Sequence, residues 1–79
     1  MSTTFKPLEH SLARLAQFAE KKDERMFQLE TQIFDSWMPV LQGYESFMGA
    51  KATEMVRNYQ HKYEQVKSML HRQDGKTTP

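Results

Sequence analysis

The stretch Ser36-Trp37-Met38-Pro39-Val40-Leu41-Gln42-Gly43 decides the architecture, because it holds the residues able to interrupt an otherwise helical chain near its middle. Pro39 has no N–H to give the carbonyl of Asp35, its ring crowds that turn, and it pushes Met38 away from helical angles. The penalty is ~3 kcal/mol inside a helix. Gly43 adds a flexible point, and about two to five residues suffice to link antiparallel helices. A turn is therefore expected at about 39–43.

Outward from that turn the apolar residues keep a spacing of three and four. Leu8, Leu12, Leu15, Ala19, Met26, Leu29, Ile33 and Trp37 precede it, with Lys22 as an interruption. Leu41, Tyr44, Met48, Ala52, Met55, Tyr59, Tyr63, Val66 and Met69 or Leu70 follow. This is a helical stripe and not a strand alternation. Pro7 suits a first helical turn, where its missing N–H costs nothing, and Asp74-Gly75 reads as a helix stop. The spacing predicts an all-α, single-domain chain: an antiparallel two-helix hairpin, coiled-coil-like, with helices over about 7–38 and about 41–73 and flexible ends at 1–6 and 74–79. A break at Lys22-Asp23, with Asp23 capping a helix from Glu24, would give three helices instead. The hairpin is preferred because the rhythm carries across that point.

A hairpin also demands that facing residues have a constant number sum. Pairs summing to about 81 satisfy this: Leu12 with Met69, Leu15 with Val66, Ala19 with Tyr63, Lys22 with Tyr59, Met26 with Met55, Leu29 with Ala52, Ile33 with Met48 and Trp37 with Tyr44. Their midpoint falls in the predicted turn.

That seam leaves Phe5, Phe18, Phe27, Phe34, Met38, Val40, Phe47, Val56 and Leu70 unassigned. Phe27 and Phe34 are seven apart and stack on one side of the first helix, beside the stripe. A lone hairpin has one mutual face, so this surplus needs a second chain. Either two hairpins associate into a four-helix bundle, or the face docks on a different protein. Phe27, Phe34, Trp37, Met38 and Phe47 are the expected contact residues, since buried aromatic anchors dominate binding energy. The six Met among 79 residues suit irregular gaps and adaptable surfaces.

Composition removes most other functions. Lys plus Arg number 11 and Asp plus Glu 10, so no bulk charge announces a nucleic-acid partner. Lys51 and Lys62 share a side of the second helix while Arg57, Lys67 and Arg72 scatter around it, so nucleic-acid binding stays an alternative without a basic stripe. With no Cys there is no disulfide, thiolate nucleophile or thiolate metal site, which fits a reducing, cytoplasmic setting. His10, His61, His71, Glu9 and Glu64 form no ligand motif, so neither metal nor cofactor is expected. Ser11, Ser36, Ser46 and Ser68 lack a nucleophile elbow, and a hairpin has no pocket for acid-base carboxylates, so no enzyme is expected. The longest apolar run, Trp37 to Leu41, is too short for a membrane span or signal peptide. The polar sides carry both charge signs, which leaves an amphipathic surface-coating role as a poor alternative.

The expected function is therefore stoichiometric binding, as an adaptor, small chaperone or inhibitor, acting on another protein, on a second copy as a homodimer, or on both. In architecture alone, a cysteine-free hairpin of this size resembles secretion-system chaperones and the small inhibitor proteins carried by bacteriophages. That resemblance implies occlusion of a target surface, phage-encoded in the second case.

Overall fold

The computed structural model describes residues 4–71, which form four helices and no strand. They are α1 (Lys6–Glu20), α2 (Glu24–Gln42), the single-turn α3 (Glu45–Met48) and α4 (Ala50–His71). The expectations placed on residues 1–3 and 72–79, including the Asp74-Gly75 stop, lie outside the described residues.

The all-helical class is as the spacing predicts, but the hairpin is replaced by three helices and a connecting turn. The first long helix breaks at Lys21 to Asp23. Lys22 takes a left-handed backbone with φ of 57°. Its N–H donates to the carbonyl of Ala19 at 3.1 Å, and the N–H of Asp23 donates to that of Phe18 at 2.9 Å. These are the two bonds that close a helix by the Schellman arrangement, here with Lys where Gly is usual. Asp23 then starts α2 at once, its carboxylate accepting from the N–H of Met26 at 3.2 Å. The alternative break thus prevails, since one three-residue turn satisfies the orphan groups of both helix ends.

Pro39 does not end α2, which runs on to Gln42. The proline lies in the last turn, exposed, and the carbonyl it deprives belongs to exposed Asp35. Water can satisfy that carbonyl, so the penalty falls well below the helix-interior figure. Gly43 caps the end, and its N–H donates to the carbonyl of Pro39 at 2.9 Å.

Strand-free topology follows from these turns. α1 and α2 are antiparallel, with Phe5 near Trp37 and Ser11 bonded to Glu30. α2 and α4 are antiparallel, with Glu24 and Phe27 near Leu70 and His71 at one end and Phe34 and Met38 near Arg57 and Gln60 further along. α1 and α4 therefore run parallel. Phe5 meets Tyr59 at one end, and the Lys22 ammonium donates to the carbonyl of Met69 at 2.6 Å at the other. The register summing to 81 is not formed. Leu12 cannot face Met69, because Met69 sits beside Lys22, ten residues further along a parallel neighbour.

The core lies along α1. Leu8, Leu12, Leu15 and Ala19 are buried against Phe27, Phe34, Met38 and Leu41 of α2 and Ala52, Met55, Val56, Tyr59 and Leu70 of α4. Phe27, Phe34 and Met38, expected at a contact face, are thus core residues. With three helices instead of two, α2 has both α1 and α4 to pack on, and the phenyl rings fill the gap between them. The Phe34 ring stacks on Tyr63 at 5.1 Å between centroids. Val56 and Leu70, unassigned in a hairpin, are consumed in the same way. The body is elongated, 50 × 22 × 19 Å.

Removing the cap by Asp23→Ala should lower unfolding free energy by about 1 kcal/mol. Phe34→Ala, which empties a core site, should cost about 3–5 kcal/mol. Urea melts of the two variants against the wild type check the ranking.

Candidate protein-binding face

Helix α2 is apolar around half its circumference. At 100° per residue, Phe27, Phe34, Met38 and Leu41 share one side, and Met26, Leu29, Ile33, Trp37 and Val40 share the adjacent one. The first side is buried. On the second, Met26, Leu29, Ile33 and Val40 are exposed, Ile33 by 44%, while Trp37 is half-buried. On α2, therefore, the expected seam residues Met26, Leu29 and Ile33 face solvent, one residue out of phase with the true core. A four-member apolar row of this kind is not scattered surface hydrophobicity, and contiguous patches mark contact sites.

The stripe ends in a cluster of rings. Phe5 touches Trp37 and Tyr44 edge-on, with centroids 5.8 and 5.9 Å away. Phe47 of α3 lies 6.5 Å from Tyr44 and is 84% exposed. Of the five expected contact residues, the structure thus leaves Phe47 at the surface and Trp37 at its margin. Met26, Leu29, Ile33 and Tyr44, which the spacing puts in the seam, and Val40, which it leaves unassigned, lie outside; the signal that could place them there is the apolar width of α2, more than one neighbour can bury.

Two polar anchors fix which side of α2 turns inward. Glu30 is buried between the two apolar sides and its carboxylate is fully engaged. Ser11 Oγ donates at 2.8 Å, and Arg14 Nε and Nη2 each donate at 3.0 Å in a bidentate pair. The hydrogen bond to Glu30 raises the Arg14 pKa above its ordinary value despite the opposing cost of desolvation. On the other side, Thr31 Oγ1 donates to the Phe27 carbonyl at 2.9 Å and meets Tyr63 Oη at 3.1 Å. A rotation of α2 that buried Ile33 would break the bonds of Glu30 to Ser11 and Arg14 and the contact of Thr31 with Tyr63.

Tyr59 holds the ring cluster in place. Its hydroxyl accepts from the Phe5 N–H at 2.9 Å and donates to Glu9 at 2.7 Å. Burial first, then Glu9, pushes this hydroxyl up from 10.0 to about 12, against the lowering effect of the Phe5 bond. Among the described residues no three of His, Cys, Asp and Glu come together as a metal cluster. Lys51 is exposed, while Lys62 lies 5.8 Å from the Tyr59 ring. No described helix is long and apolar enough to cross a membrane. An open cleft of about 430 Å³ runs between α2 and α4, flanked by Asp35, Arg57, His61 and Glu64. Comparison with protein-family models, with curated proteins and with solved structures gave no match.

The raised Tyr59 pKa sets a stability window. The unfolded chain releases this proton near 10.0 and the folded chain only near 12, so the contribution is complete below about pH 10 and lost as pH rises toward 12. Urea midpoints across that range should fall for the wild type and fall less for Tyr59→Phe. The same variant, by freeing Phe5, should shift the emission of the sole tryptophan, Trp37, to longer wavelength at neutral pH.

Proposed function

We propose that the chain is a non-enzymatic protein–protein interaction module, acting stoichiometrically as an adaptor, small chaperone or inhibitor through the outer apolar face of α2. The observation that carries this is the row Met26, Leu29, Ile33 and Val40 left exposed on a helix whose other apolar side already fills a core. A folded chain gains nothing for itself from such a row. It costs solubility, and it repays that cost only when another surface covers it.

The energetics suit a binding face. With a large apolar side chain exposing on the order of 200 Å² when free, these four at roughly two-fifths exposure and Trp37 at the margin present roughly 400 Å². At ~25 cal/mol/Å² their burial is worth on the order of 10 kcal/mol before association costs. Those costs take much of it, leaving a reversible contact. Phe47 and Tyr44 at the end of the row supply the large, stiff rings that anchor interfaces. Arg25 is the one charge bordering the row's outer side, and Glu30 on its inner side is neutralised by Arg14. The face is therefore poor in free charge at its centre and polar at its rim, as interfaces are.

The face is separable from the fold, which allows a direct test. Leu29→Asp with Ile33→Asp should leave the far-ultraviolet circular dichroism nearly unchanged while abolishing association. Phe27→Asp with Phe34→Asp should unfold the chain. Affinity capture with mass spectrometry, run beside a solution mass for each variant, gives the readout. An identical set of captured proteins and an identical mass for the wild type and the outer-face variant would overturn the proposal.

A further inference from the structure

We infer that the occupant of the α2 face is a second copy of this chain, seated antiparallel about a two-fold axis that passes between Leu29 and Ile33. This rests on the interaction-module reading and specifies its partner. Met26, Leu29, Ile33, Ser36 and Val40 fall at steps of three and four, a seven-residue repeat that keeps one seam toward a facing helix. With the axis at that point, Leu29 packs against the partner's Ile33 and Ile33 against the partner's Leu29. Met26 lies over the partner's small Ser36, so a long side chain fills the space a short one leaves.

Charge selects the direction. In a parallel pair Arg25 would lie beside the partner's Arg25 at the edge of the seam, a like-charge contact of the kind that opposes association. In the antiparallel pair the two are about 18 Å apart at 1.5 Å per residue. Each then reaches the indole of the partner's Trp37, and a guanidinium over a tryptophan face is favourable. The area also fits. An interface of standard size takes about 800 Å² from each partner and is a little over half apolar, so roughly 400 Å² of apolar stripe is what one side of such a dimer supplies. A two-fold arrangement uses the same face twice and closes, leaving no stripe to propagate into a fibre.

The absence of cysteine makes the geometry testable with the intact chain. In sedimentation at about 100 µM the wild type should run as a dimer and Ile33→Asp as a monomer of unchanged helicity. Leu29→Cys mixed with Ile33→Cys should form a disulfide-linked pair under mild oxidation. Met26→Cys alone should not, since its two sulfurs would start about 15 Å apart, beyond disulfide reach. Self-cross-linking of Met26→Cys as fast as the mixed pair would overturn the antiparallel seating. A wild type that stays monomeric throughout would overturn the second copy as occupant. That result leaves the module reading to the capture difference between the wild type and the outer-face double variant, so the two failures are distinguishable.

Discussion

The left-handed backbone at Lys22 is the constraint from which the rest of the structure follows. Without it α1 and α2 would continue as one rod, and the chain would have a single seam to bury. With it, α1 folds back on α2, and the route from α2 through α3 brings α4 alongside α1 in the same direction. The conformation costs a non-glycine residue roughly 1–2 kcal/mol. It is held by the closing bonds from Lys22 and Asp23 and by the Asp23 cap on α2. The Lys22 ammonium also reaches the carbonyl of Met69 near the last turn of α4, where the helix dipole favours a cation. One residue thus joins the ends of three helices.

Much of the architecture is legible in the sequence, and the part that is not has a definite cause. The Leu8, Leu12, Leu15 and Ala19 stripe is buried where the spacing puts it, and a long helix does follow the middle of the chain, but it starts at Ala50 and not at about 41, because a positive φ at Gly49 separates it from α3. The break between α1 and α2 hides because Ala19 and Met26 are seven apart, a step the helical rhythm takes in stride, and because Lys replaces the glycine that would announce a left-handed residue. Pro39 misleads in the other direction. A proline stops a helix when its ring and missing bond fall in the interior, and here only three helical residues follow it and the deprived carbonyl belongs to an exposed residue.

The candidate face shows the same limit in sharper form. The two apolar sides of α2 interleave along the chain, Met26 beside Phe27, Ile33 beside Phe34, Trp37 beside Met38 and Val40 beside Leu41. Periodicity finds both and cannot rank them. What ranks them is size and polarity taken together. The phenyl rings reach far enough to fill the space between α1 and α4, and Glu30 must meet Ser11 and Arg14 while Thr31 meets Tyr63. Those are tertiary facts, fixed only once the third helix is known to exist. That the chain carries more apolar side chains than one seam can bury is legible in the sequence; which of them stay outside is not.

Residues 43–49 contribute no buried side chain, and only half-buried Met48 leans on the core. Yet this segment is the whole covalent link between α4 and the first two helices. Peptide connectivity and cohesion are therefore decoupled: cutting the backbone there would remove no core residue, and the two pieces would still share one continuous apolar interior. The molecule is in effect a helical pair and a third helix that recognises it, so the chain offers a natural place for a split reporter or a circularly permuted variant.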